Sequence, residues 1–195
     1  MSKKVIVFLA EGFEEVEAVT PIDYLRRAGA EVTIAAIEQG SSKLPNFCIK
    51  GARGVSICAD ISIKELEKQG KMNAGNWDAV VIPGGMPGAS NIAASKETSE
   101  LLKEMAGAGK LVCAICASPV IVLEPLGLIA ERNYTCYPGM ENKAINAKWS
   151  EEKVVIDGNI ITSRGAGTAG LFSAAIISKL FGEEEGEKIA RAVLL

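Results

Sequence analysis

The stretch Leu111-Val-Cys-Ala-Ile-Cys-Ala-Ser-Pro119 carries an apolar run straight into a turn of small residues. The run Leu111–Ile115, β-branched at Val112 and Ile115, predicts a strand buried on both faces. Ser118 and Pro119 predict a helix opening at Ser118. A core strand feeding a helix is the repeating unit of a parallel α/β sheet, so the rest of the chain should repeat it.

It does. Lys4–Leu9 and Glu31–Ile37 read as buried strands. Between them Glu14–Ala28 reads as a helix, with Val16, Val19, Ile22 and Leu25 at spacings of three, kinked at Pro21 and ended by Gly29. Residues 47–58 read as a hairpin turning near Gly51–Gly54. Ser62–Gln69 reads as a short helix with Ser62 as N-cap and Glu65 completing a capping box. Asp78–Ile82 is a third core strand, and Lys96–Ala108 is a helix. Short strands follow near Val154–Ile156 and Ile160–Thr162, then a helix from Thr168 to Leu180 and a terminal helix over 183–193. With no repeat, low-complexity tract or linker, this alternation predicts one domain over residues 1–195. Its fold class is α/β, a doubly wound, mostly parallel sheet with helices on both faces.

Composition removes several functions. The 21 basic and 24 acidic residues leave a net charge of −3, and the basic residues are scattered apart from Arg26 and Arg27, which argues against nucleic acid as a partner. The apolar stretch near the N-terminus is too short for a signal sequence or a membrane span, and no membrane partner is expected. The expected location is therefore the cytoplasm. There the five cysteines should be mostly reduced, and their odd number does not suggest a disulfide framework. Histidine is absent. That excludes imidazole bases and His-containing metal sites, so chemistry must run on thiol, carboxylate, backbone N–H, Tyr or Lys, a composition that suits a scheme without metal or cofactor.

Ligands of such sheets bind beyond the carboxyl ends of the strands, here after Leu9, Ile82 and Ile115. Cys116 occupies the last of these turns. It resembles a nucleophile elbow without the usual glycines, in which following N–H groups and a helix start would favour thiolate. Position alone leaves a buried structural cysteine equally open. Cys113 and Cys116 spell C-x-x-C, but Cys113 lies inside the strand and should point away, so the pair reads as coincidental. Pro83-Gly-Gly85 can aim N–H groups into a crevice, or simply turn the chain. Glu14 and Glu15 read as surface groups that complement a helix start. Glu17, with Pro21 and Tyr24 beside it, could be a protonated carboxyl that hydrogen-bonds a thiolate, although a surface position is the plainer reading. Gly165-Ala-Gly-Thr-Ala-Gly170 matches a dinucleotide fingerprint, but no βαβ unit follows. It reads as a turn capped by Thr168.

Five blocks in order resemble the ThiJ/PfpI superfamily, within it the Parkinsonism-associated deglycase branch. They are Gly12-Phe-Glu-Glu-Val-Glu17, Arg26-Arg-Ala-Gly29, Ile82-Pro-Gly-Gly-Met-Pro-Gly88, Ala114-Ile-Cys-Ala-Ser-Pro119 and Thr162-Ser-Arg-Gly-Ala-Gly-Thr168. The resemblance implies a flavodoxin-like core, akin to class I glutamine amidotransferases, and a homodimer. It makes Cys116 an oxidisable nucleophile and Glu17 its protonated partner. Gly84, Gly85 and Ala117 then form the oxyanion side, with Arg53 and Tyr137 nearby. Tyr137 stands where many members carry histidine, and Ala117 stands where the peptidase-like branch does, so a Cys-His peptidase is not implied. The implied activity is cofactor-independent glyoxalase or deglycase chemistry on 2-oxoaldehydes such as methylglyoxal, or on their early adducts. A redox sensor or chaperone built on Cys116 is the alternative. A role in thiazole monophosphate synthesis ranks last, because no residue here suggests phosphothiazole binding.

Overall fold

The computed structural model describes residues 2–38 and 47–195. The elements in order are β1 (Lys4–Ala10), α1 (Glu15–Arg27), β2 (Glu31–Ile37), β3 (Cys48–Lys50), β4 (Ser56–Cys58), β5 (Ile61–Ser62) and α2 (Ile63–Lys68). Then come β6 (Ala79–Ile82), α3 (Gly88–Ala93), α4 (Lys96–Gly107), β7 (Leu111–Ile115), β8 (Asn133–Tyr134) and β9 (Lys148–Trp149). The chain continues with β10 (Val154–Asp157), β11 (Ile160–Ser163), α5 (Ala169–Phe181) and α6 (Glu183–Ala192).

Seven strands form one sheet in the order β10-β11-β7-β6-β1-β2-β5. Only β10 runs antiparallel to its neighbour. This is the doubly wound arrangement expected from the strand–helix alternation, and the flavodoxin-like core that the family resemblance implies. Alternation along β1 explains why both faces are covered. Ile6, Phe8 and Ala10 pack into one core with residues of α2, α3 and α4. Val5, Val7 and Leu9 pack into a second core with α1, α5 and α6. A strand whose successive side chains enter opposite cores must be apolar throughout.

Register decides where the strands end. Val7, Val81, Cys113 and Ile161 lie in one row across the sheet. From that row β6 ends one residue on, β7 and β11 two, and β1 three. Their following loops therefore leave the same edge.

Three expectations need correction. The helix that opens at Ser118 is short and is not an α-helix. Pro119–Leu123 forms one wide turn, in which the Glu124 N–H donates to the Pro119 carbonyl, and a tighter turn over Glu124–Leu126 follows. Pro125 offers no N–H to the turn before it, and the tighter turn takes the place of a regular helix there. Second, the cysteines are not all free. Cys48 and Cys58 face each other across the β3–β4 hairpin and form a disulfide. Their ten-residue separation concealed a direct pairing that the hairpin register creates. Third, Glu15 is not a surface group but is buried at 8% exposure. The hairpin itself lies where expected, with the Gly51 N–H donating to the Val55 carbonyl at 2.8 Å.

Candidate active site

Three loops meet at the carboxyl edge of the sheet. Cys116 follows β7 directly and has φ +66°, an uncommon left-handed conformation for a residue with a side chain. Backbone bonds pin it there. Its N–H donates to Ser163 at 2.9 Å, and its carbonyl accepts from the Tyr137 N–H at 2.8 Å. The buried Ser118 hydroxyl donates to the Pro83 carbonyl at 2.6 Å, tying this turn to the loop after β6. The turn lifts a half-buried thiol off the strand. Cys113 remains in the core against α5, and burial pushes its thiol far up.

Glu17 reaches this thiol from α1. Glu14 caps the helix by accepting from the Glu17 N–H at 2.8 Å, and the helix then aims Glu17 inward to 1% exposure. One carboxylate oxygen accepts from the Gly84 N–H at 2.8 Å. The Ala166 N–H and Cys116 are its other partners. Burial above all raises the carboxyl to about 7, opposed by the bonds to Cys116 and Gly84. The sulfur accepts from the N–H groups of Gly85 and Ala117, yet burial first, and then the Glu17 charge, push the thiol up to about 12. The two N–H donors favour thiolate but do not offset burial, and Glu17 is the group placed to take the thiol proton.

Gly84 allows this approach. A Cβ there would stand 2.7 Å from both the Cys116 Cβ and a Glu17 oxygen. The next glycine, Gly85, has φ +85° and packs against the backbone of Gly12, Phe13 and Glu14. These two glycines thus serve different needs, close packing and turn geometry.

The cavity around the thiol has a volume of about 740 Å³ and is lined by Glu17, Arg53, Gly85, Cys116, Ala117 and Tyr137, among others. All the expected site residues therefore come together, with Gly84 immediately behind Cys116. The sequence reading did not find Met86, Met140 and Lys143, which also line it. Nor did it find the part played by Glu15, whose carboxylate accepts from the Arg53 and Val55 N–H groups at 2.7 and 3.3 Å. Its only available signal was a carboxylate beside an apolar helix face. Thr168 closes its turn as expected, its hydroxyl meeting the Gly165 N–H at 3.1 Å. Among the described residues no cluster of acidic or thiol groups could hold a metal ion. No described helix is long and apolar enough to cross a membrane.

Known proteins resemble this chain in sequence and fold over most of its length. The model of the DJ-1/PfpI family matches residues 3–179. Protein DJ-1 homolog B of Arabidopsis thaliana is 39% identical over 98% of this chain, which spans only 41% of that relative. The Parkinson disease protein 7 homolog of Danio rerio is 38% identical over 99% of this chain and 97% of its own length. A Caenorhabditis elegans protein named glutathione-independent glyoxalase DJR-1.2 is 35% identical over 97% of this chain and 95% of its own. The solved structure of oxidised DJ-1 from Toxoplasma gondii superposes with a TM-score of 0.89 at 36% identity, covering 99% of this chain and 98% of that one. With its sheet order, its strand-end thiol and a family match over most of its length, the chain belongs to the DJ-1/PfpI family.

Proposed function

We propose that this protein is a cofactor-independent glyoxalase or deglycase acting on 2-oxoaldehydes, such as methylglyoxal, or on their early adducts. The observation that carries the reading is the contact between Cys116 and Glu17 inside a cavity where two backbone N–H groups converge on the sulfur. Glu17 takes the thiol proton as sulfur attacks the aldehyde carbon, and the Gly85 and Ala117 N–H groups hold the oxyanion. Glu17 then hands that proton to the oxyanion, and the carboxylate so freed takes the C1 proton and delivers it to C2 through an enediol. Water cleaves the resulting thioester, releasing a 2-hydroxy acid and restoring the thiol. Arg53 and Tyr137 line the substrate side. The naming of the nematode relative as a glutathione-independent glyoxalase supports this assignment.

The protein acts as a cytoplasmic homodimer on this reading. The exposed Val16, Val19 and Val55, apolar groups on α1 and the hairpin tip, support self-association. The test is methylglyoxal consumption without glutathione by wild type, Cys116→Ala and Glu17→Gln in parallel. Both variants should lose turnover by at least about 10²-fold. A Cys116→Ala variant as fast as wild type would overturn the mechanism.

A second reading has its own support. A carboxyl that still carries its proton near pH 7 can donate to a sulfinate at Cys116 and stabilise it, so the site could also report oxidation to a partner. Peroxide treatment with peptide mapping tests this. Oxidation marks spread over other residues and missing from Cys116 would refute it.

A further inference from the structure

The disulfide lies apart from the thiol chemistry but shares an element with it. The hairpin has only three paired positions, Cys48 with Cys58, Ile49 with Ile57 and Lys50 with Ser56. A two-stranded ribbon of that length is marginal alone. It is held at both ends. At the open end is the disulfide. At the tip the Ala52 N–H donates to Phe13 at 2.8 Å, and the Gly12 N–H donates to Lys50 at 2.8 Å. The Arg53 and Val55 N–H groups meet Glu15 Oε1. Glu15 Oε2 is buried and finds no partner among the described residues. The tip N–H groups are thus this carboxylate's described hydrogen-bond donors. Arg53 at the same tip lines the Cys116 cavity. Cys58 is exposed, while Cys48 is half-buried.

We propose that Cys48 and Cys58 are a second thiol–disulfide site, opened by a thiol reductant, which sets how firmly the hairpin, anchored on Glu15, holds Arg53 against the Cys116 cavity. The thiolate of the reductant attacks the exposed Cys58 sulfur, breaks the S–S bond and releases Cys48 as thiolate. A second thiol attacks the reductant's sulfur in the mixed disulfide and releases Cys58. Two electrons pass from two thiols to the cystine, the reductant leaves as its own disulfide, and the protein thiolates take up the two protons. With the crosslink gone, the open end of the hairpin regains freedom the bond removed, and it is held by the Ala59 N–H to Phe47 bond at 3.0 Å, the buried Ile49 and the tip contacts. The proposal deepens the glyoxalase reading, because Arg53 is on its substrate side.

The test needs no turnover. Hydrogen exchange and Cys116 alkylation by iodoacetamide are compared for oxidised wild type, wild type reduced with a phosphine, and Cys48→Ser/Cys58→Ser. The oxidised protein should weigh about 2 Da less than the reduced one, with the loss mapped to the 48–58 peptides. In both uncrosslinked forms the Gly51–Val55 amides should exchange at least about threefold faster, β1 amides should not change, and Cys116 should alkylate faster. Free thiols at Cys48 and Cys58 after mild diamide oxidation would overturn the proposal. So would a formed disulfide whose removal leaves both tip exchange and Cys116 alkylation unchanged. Neither result depends on methylglyoxal turnover, so failure of the glyoxalase reading would be seen separately.

Discussion

Gly84→Ala is the smallest change that tests the candidate site. The added methyl would stand 2.7 Å from the Cys116 Cβ, 2.7 Å from Glu17 Oε2 and 3.1 Å from the Ala117 nitrogen. Comfortable carbon contacts lie near 3.5–4.0 Å, so the two side chains must separate by about 1 Å. Gly84 does not use the left-handed region, and backbone strain therefore adds nothing. Cys116 cannot retreat easily, because Ser163 and Tyr137 bind its backbone. Overpacking of this kind costs about 1–3 kcal/mol, or roughly 2–12 °C in melting temperature for a domain of this size. A misplacement of about 1 Å between reacting groups costs on the order of 10² in rate. Thermal melting and methylglyoxal turnover read the two effects, with Gly107→Ala as control. A Cβ at Gly107 meets nothing within 4 Å, so that variant should be neutral or slightly stabilised, by up to about 1 kcal/mol. A Gly84→Ala protein that melts and turns over like wild type would refute the packing argument.

Two further outcomes are expected. Folding raises the Glu17 carboxyl from 4.5 to about 7, so between those values the folded chain holds a proton that the unfolded chain has released. Stability should therefore fall as pH rises through this window, by on the order of 3 kcal/mol, and Glu17→Gln should remove most of that slope in denaturation at pH 5 and pH 8. Parallel slopes would contradict the burial argument. Because the Glu17 charge also holds the thiol up, Glu17→Gln should abolish turnover without slowing Cys116 alkylation at alkaline pH; slower alkylation would contradict it. Tyr137 is half-exposed on the cavity wall, so Tyr137→Phe should change kcat by less than about threefold while Tyr137→Ala raises KM. A large kcat loss in Tyr137→Phe would instead give the hydroxyl a part in proton transfer.

The core elements were legible because each carries its own signal. β6 and β7 are apolar throughout, β1 is apolar after Lys4 and β2 from Ile34 on, and α4 begins at a serine cap and ends beside Gly109. The short pieces carry none. α3 begins at Gly88 and spans only Gly88–Ala93, and β8 and β9 are two residues each, too short for any period to register. The helix expected at Ser118 opens where its serine and proline mark it, but it runs only as a wide turn over Pro119–Leu123 and a tighter one over Glu124–Leu126, where Pro125 supplies no N–H.

Cys116 itself was marked in the sequence by its place between a core strand and a small-residue turn. The missing histidine narrowed its chemistry to a thiol with a carboxylate or backbone partner. Composition and local pattern could go no further, because the burial of a carboxylate depends on what the rest of the chain puts around it. Glu15 and Glu17 are two residues apart on one helix, and both are buried. One clamps a hairpin 38 residues away, and the other meets a backbone N–H 67 residues away. The pairing of Cys48 with Cys58 is likewise a matter of hairpin register. Local sequence thus determined the sheet and its exposed turn, since strand and turn preferences act between near neighbours. Only the tertiary structure decided which carboxylate shares a proton with the thiol, since desolvation and long-range hydrogen bonds arise when distant segments pack.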